Sequence, residues 1–432
     1  MKNFLFAALF SALLFVGSSH AATVDELVND AVSDNKSVAT ASIAELRSMG
    51  TVGLDALFVK YAAEIERFKK DGVVDAEWQK IATALDSVAM QKDAYASHLF
   101  WYTDIEEAKR AADKKNRPIL SLRLLGNLDE EFSCANSRLF RSILYPNAQV
   151  SQYLRDNYIL HWKSVRPAPR ITIDFGDGRK IERTITGNSI HYILSADGTI
   201  IEALPGLYSP TGFLTYLMEG RRVDKLAGQL LPESRARAFM KYRQLSFNQI
   251  KAKRNKVVAA SGVKLTEPAI SPNGGLVAPT AITAAPVAMA KMMVVDEYSL
   301  LRVYDDFAKF EASVGFDDWL KLSGYYSPIR KLDDNSISFI RRQNSKTGLS
   351  EQEFGALFAK LDSFIALDTT RNDFLYHTKL YEWLNSDRGN ENLEEFNARV
   401  YADIFKTPGT DKWLGLYASD VYTALDGNGI IK

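Results

Sequence analysis

The sequence predicts a central α/β unit over residues 99–221, flanked by N-terminal and C-terminal all-α regions. Three observations carry this. Residues 22–98 repeat apolar side chains at helical spacing. From Thr103 onward, short apolar runs of strand length alternate with helical stretches, the pattern of a layered α/β structure. Beyond residue 290 the helical period returns. The bulk figures fit this picture: of 432 residues, 46% are hydrophobic and 25% charged. Those fractions are ordinary for a globular chain and exclude collagenous, disulfide-rich and wholly disordered proteins.

The N-terminus reads as a secretory signal peptide, residues 1–21. Lys2 supplies the positive start, Phe4 to Val16 an apolar run of 13 residues, and Ser19 and Ala21 the small residues before a cut after Ala21. The run is too short to span a bilayer comfortably, and no later stretch is long and apolar enough to do so. The mature chain is therefore expected to be exported, periplasmic or secreted, with no stable membrane insertion after signal cleavage.

Residues 22–98 form a helical region. Leu27, Val28 and Ala31, then Leu54, Leu57, Phe58 and Tyr61, then Trp78, Ile81, Leu85 and Val88 each mark one apolar face, and Gly50 and Gly53 read as helix stops. Thr103-Asp104-Ile105-Glu106 then has the form of a capping box, opening a helix that ends at Asn116-Arg117-Pro118. Ile119 to Leu125 is a buried strand interrupted by Ser121 and Arg123. A helix starts at Cys134, a short helical turn holds Val150, Tyr153 and Leu154, and Tyr158 to Val165 is a strand. A hairpin turns at Gly176-Asp177-Gly178, and a second pair, Ile190–Leu194 with Thr199–Leu204, turns at Asp197-Gly198. Ser209-Pro210 opens the next helix as N-cap and first helical position.

Residues 222–261 are a basic helical segment, with eight basic residues from Arg235 to Lys256 against Glu233. The C-terminal helical domain, 291–432, is acidic, with 16 basic and 23 acidic residues after position 292. Intrachain docking of these opposite charges accounts for the basic helix better than a nucleic-acid partner does. Between them lies a Pro/Ala-rich linker, 262–290, uncharged after Glu267.

Overall charge excludes further classes. Lys plus Arg equals Asp plus Glu at 53 each, so no global field draws in nucleic acid. One cysteine excludes an intrachain disulfide and a Cys-rich zinc site, and five scattered histidines offer no metal centre. No metal and no cofactor is expected.

Three stretches resemble the thioredoxin-like superfamily over about residues 99–220, in an exported branch with a Cys-x-x-Ser variant. Pro118-Ile119-Leu120-Ser121-Leu122 looks like the strand leading to the active-site loop. Cys134-Ala135-Asn136-Ser137 looks like the family's Cys-x-x-Cys with serine second. Tyr192 to Thr199 and Leu204-Pro205-Gly206 look like its terminal hairpin. The resemblance implies a nucleophilic Cys134 at a helix start, where unpaired N–H groups and the helix dipole favour a thiolate. Asp129, Glu130 and Glu131 oppose that effect. Ser137 removes the dithiol cycle, leaving mixed disulfides or a sulfenic acid. The family's cis-proline opposite the nucleophile would fall near Ser189, where this chain has none. Asn188 and Ser189 are expected to line the cleft, with His161 and His191 on adjacent strands, where either could approach Cys134 as a base.

Two functions follow. One is a non-catalytic protein-interaction module. The other is a single-cysteine thiol-disulfide handling protein, which as an enzyme would be a monothiol oxidoreductase or isomerase. A structural scaffold of the cell envelope without redox chemistry is the alternative. The partner in either case is another exported protein or a client thiol.

Overall fold

The structure, a computed structural model, describes residues 22–184, 188–264, 316–326, 332–386 and 392–405, with a few single residues outside those ranges. Residues 1–21, expected to be a signal peptide, and most of the 262–290 segment expected to be a linker lie outside the described residues.

Five helices come first: α1 (Val24–Asp30), α2 (Lys36–Ser48), α3 (Thr51–Lys60), α4 (Ala62–Asp71) and α5 (Ala76–Ala89). Thr23, Asn35 and Asp75 cap α1, α2 and α5 with side-chain oxygens on orphan N–H groups. Their apolar faces meet in one cluster around Leu46, Leu54, Leu57, Ile65, Trp78, Ile81 and Leu85. Gly50 does separate α2 from α3, but Gly53 is no stop. It lies inside α3, where a Cβ would sit 2.0 Å from the Leu46 carbonyl oxygen, so the glycine permits the two helices to touch through backbone.

The α/β unit is built on a five-stranded sheet. β1 (Trp101–Tyr102) and β2 (Ile119–Leu125) flank β3 (Ile159–Arg166), all three parallel. A separate hairpin, β4 (Arg170–Asp174) with β5 (Lys180–Thr184), follows. β6 (Ser189–Leu194) runs antiparallel to β2, and β7 (Ile200–Pro205) antiparallel to β6, giving the order β1-β3-β2-β6-β7. Every residue of β2, β6 and β7 is buried, as strands covered on both faces must be.

Helix α6 (Ile105–Lys115) starts one residue later than the Thr103 capping box implies: Asp104 is the cap, its carboxylate accepting the Glu107 N–H. After β2 come α7 (Ala135–Leu139), a π turn (Phe140–Leu144) and α8 (Ala148–Asn157). Helix α9 (Pro210–Ala227) begins with the expected Ser209 cap and Pro210, and α10 (Pro232–Ser261) is the basic helix.

The C-terminal part contributes α11 (Phe316–Tyr326), α12 (Asp334–Gln343) and α13 (Glu351–Arg371), the last opened by a Ser350–Glu353 capping box. Helix α13 passes through a π turn (Asn372–His377) into α14 (Thr378–Leu384). α15 (Leu393–Arg399) likewise continues as a π turn (Val400–Ile404). These helices do not stand apart from the sheet. Leu380, Phe396, Val400 and Tyr401 belong to the same buried cluster as Leu122, Ile193, Leu204 and Phe213. Helix α10 docks within the chain, its buried Arg243 donating to the carbonyls of Ile200 (2.8 Å) and Leu384 (3.2 Å).

Candidate functional site

Cys134 stands at the N-cap of α7, at the carboxyl end of the central strand. Its N–H donates to the Leu125 carbonyl at 2.9 Å, which ties the helix start to the end of β2. The sulfur is fully buried. Ser189 Oγ lies 2.8 Å from it and Ser137 Oγ 3.4 Å. Three residues on in the helix, Ser137 faces back toward the sulfur, but its hydroxyl donates within the helix start, with Ser133 Oγ at 2.7 Å and the Cys134 carbonyl oxygen at 2.8 Å as its acceptors. A hydroxyl committed in that way accepts from a thiol and has no second proton for a thiolate.

Ser189, the first residue of β6, meets Cys134, while Asn188 just before it turns to the C-terminal segment, and both residues are buried. The Asn188 amide donates to the Phe405 carbonyl (3.2 Å) and Thr407 Oγ1 (3.0 Å), and the Tyr401 hydroxyl donates to the Asn188 carbonyl (3.2 Å). The C-terminal segment after α15 thus covers this loop. Tyr145 and Tyr401 stand near enough that a charge on the sulfur would be felt by both hydroxyls, which burial already holds well above the ordinary tyrosine range. Arg138 is also close to the sulfur; it donates to Thr184 Oγ1 at 2.8 Å, and burial lowers its pKa while the neighbouring Cys134 opposes the shift. No cis peptide bond occurs among the described residues.

The two histidines are neither on adjacent strands nor together. His161 is on β3 and His191 on β6, with β2 between them. His161 pairs with Ser121 of β2 and His191 with its neighbour Leu122. Because side chains alternate along a strand, the two rings lie on opposite faces of the sheet. His161 Nδ1 is 2.8 Å from Ser121 Oγ, and burial followed by the charges of Arg123 and Lys163 lowers its pKa to about 3. His191 Nε2 is 2.9 Å from the Tyr145 hydroxyl, between the rings of Phe140 and Phe213, and burial lowers its pKa to about 3. Both rings are neutral at physiological pH, and neither contacts Cys134.

A second polar constellation has no counterpart in the sequence reading. Glu202 of β7 accepts from the hydroxyls of Tyr242 (2.7 Å) and Tyr381 (2.6 Å) and faces His377 Nε2 at 2.8 Å. His377 Nδ1 is 3.2 Å from Asp373, which also accepts from Tyr216 (2.8 Å) and Tyr326. Burial opposes a charge on His377, but the two carboxylates outweigh it and raise its pKa to about 9. The imidazolium is held on both sides, and the arrangement ties β7, α9 and α10 to the C-terminal helices. The signal available for it was Glu202, an acid inside an otherwise apolar strand, as Arg123 is a base inside β2. Arg138 and Tyr401 gave no such signal.

Among the described residues no group of histidine, cysteine and carboxylate is arranged to hold a metal ion. No helix among them is long and apolar enough to cross a membrane. Comparison with known proteins finds no family model that matches this chain, no matching curated protein and no matching solved structure.

Proposed function

We propose that this chain is an exported thioredoxin-like protein that works as a protein-interaction module, with Cys134 as a packed structural residue. The thioredoxin-like reading is supported by the central strand that delivers Cys134 to a helix start, and by Ser189 falling opposite the sulfur where the resemblance puts the family's guide residue. The binding reading rests on one observation: the sulfur is fully buried, beneath Ser189 and a loop that the C-terminal segment covers. An inert cysteine of this kind acts as a small hydrophobe with a weak S–H donor.

A monothiol reading has one feature in its favour, Arg138 close to the sulfur at a helix N-terminus. It requires the cover formed by Tyr401 and Phe405 to move.

Iodoacetamide alkylation of the folded mature protein, read by mass spectrometry across pH, separates the two. The interaction module leaves Cys134 unlabelled until denaturant is added. Rapid native labelling, with an apparent pKa well below the free-thiol value of about 8.5, would remove the structural reading and establish an activated thiolate.

A further inference from the structure

The hairpin of β4 and β5 is a two-stranded sheet of its own, outside the five-stranded sheet. It is tied to the rest of the chain at its base, where Thr184 Oγ1 accepts from Arg138 at 2.8 Å and Arg170 lies 4.5 Å over the Phe132 ring. Beyond the base it is open: Thr172 and every residue from Asp174 to Ile181 are exposed. Ile171 and Ile173 belong to none of the buried clusters. A two-stranded ribbon alone is marginal in water, and its free edge offers unpaired N–H and C=O groups to another strand.

The ladder sets where those groups point. The Phe175 N–H donates to the Arg179 carbonyl at 3.1 Å, so these two residues form a hydrogen-bonded pair. Such pairs alternate with non-hydrogen-bonded ones along an antiparallel ladder, and the register carries the alternation to Ile173–Ile181 and Ile171–Arg183. Ile171, Ile173 and Phe175 therefore direct their backbone groups to β5. Arg170, Thr172 and Asp174 direct theirs to the free edge, where no backbone group among the described residues pairs with them.

This edge, Arg170-Ile171-Thr172-Ile173-Asp174, complements itself. Laid antiparallel on a second copy about a two-fold axis at Thr172, Arg170 falls opposite Asp174 and Asp174 opposite Arg170. Ile171 then meets Ile173, and Thr172 meets Thr172. The residue on the axis directs its backbone groups outward in both copies, as a hydrogen-bonded pair requires. The charges of β5 extend the match. Lys180 is 2.9 Å from Asp174 and Glu182 is 3.5 Å from Arg170, so a row of Lys180, Asp174, Arg170 and Glu182 across the joined sheet alternates in sign. No other centre on β4 sets both of its charges against opposite ones. The edge of β5 fails the same exercise: where Lys180 meets Glu182, Arg179 meets Arg183.

We propose that this chain forms a two-fold symmetric dimer through the free edge of β4, joining two hairpins into one four-stranded sheet. The proposal stands on the hairpin alone and is independent of the state of Cys134. One short edge makes a small interface, so the dimer is reversible and concentration-dependent.

The test is sedimentation velocity of the mature chain from micromolar to near-millimolar concentration. The parent is expected to pass reversibly from monomer to dimer. Thr172→Pro removes an outward N–H without touching the ladder to β5, and is expected to stay monomeric. Asp174→Arg and Arg170→Asp each set like charges against each other, and each alone is expected to associate about ten-fold or more weakly than the parent. Mixed in equal amounts, these two variants meet with opposite charges at both ends of the edge and are expected to recover the parent's association. A folding defect would not be cured by mixing. Thr172→Cys is expected to give a disulfide-linked dimer on mild oxidation. A hydrogen-bonded pair holds its Cα atoms about 5.5 Å apart, within disulfide range, and Cys134 is buried. A parent that stays monomeric throughout overturns the proposal, whether or not an extended segment of another protein then covers the edge. So does a Thr172→Pro chain that associates like the parent, or a mixture that associates no better than either variant alone. A Thr172→Cys chain that fails to link at concentrations where the parent dimerises overturns it as well.

Discussion

Single atoms decide several features of this chain. At Gly53 a methyl group would meet the Leu46 carbonyl oxygen at 2.0 Å, backbone against backbone, so neither side can yield by a rotamer change. Gly53→Ala is expected to cost about 2 kcal/mol or more, through overpacking. Gly355, inside α13, has no atom within 4 Å of the same position. Gly355→Ala is expected to add roughly 0.5–1 kcal/mol, the difference in helix propensity. Urea midpoints of the two variants, moving in opposite directions, would check both. At Cys134 the residue type and helix position are those of a nucleophile, yet the Ser137 hydroxyl donates to Ser133 Oγ and the Cys134 carbonyl and the sulfur is fully buried.

At the scale of elements, three π turns occur among the described residues, at 140–144, 372–377 and 400–404. Each is next to or contains side chains of a buried polar contact: Tyr145 with His191, Asp373 and His377 with Glu202, Tyr401 with Asn188. A π turn inserts one residue into a helix and so shifts which side chains face inward. In the second case it stands where Asp373 and His377 point together at β7. Glu202→Gln removes one charge from that buried network and leaves the His377 proton with a weaker partner. It is expected to destabilise the fold by about 3 kcal/mol, since breaking a buried pair strands its partner. Guanidinium unfolding at neutral pH would measure this, and a loss below about 1 kcal/mol would show the network to be dispensable.

For the whole molecule, stability should peak near neutral pH. His161 and His191 are held neutral, each with its pKa lowered to about 3, whereas in the unfolded chain a histidine titrates near 6.5. As pH falls below that value the unfolded state takes up protons that the fold refuses, so stability is lost, by about 2 kcal/mol per histidine at pH 5. His377 acts in the other direction. With its pKa raised to about 9, its contribution is complete below about 6.5 and disappears as pH rises through 9. Thermal melts across pH 5–10 should show both limbs. His377→Gln is expected to flatten the alkaline limb alone and His191→Phe to reduce the acid one.

Local chemistry carried the element order. Asp197-Gly198, Ser209-Pro210 and Ser350-x-x-Glu353 act through hydrogen bonds and backbone angles within a few residues, and all three stand where their patterns place them. The mixed α/β class with flanking helices followed from periodicity in the same way. Pairing across the sheet is not local. Placing β2 between β3 and β6 depended on chain-wide packing; it set His161 and His191 two strands apart, and the register on β2 put them on opposite faces. The closure over Asn188 by Tyr401 and Phe405 joins residues more than 200 positions apart, as does the Arg123–Glu394 pair. Sequence by itself determined the order of helices and strands and many of their capped ends, because those signals are short-range. Only tertiary structure decided which charges are buried, which are paired and whether the sulfur meets solvent, because burial is set by what the rest of the chain places on top.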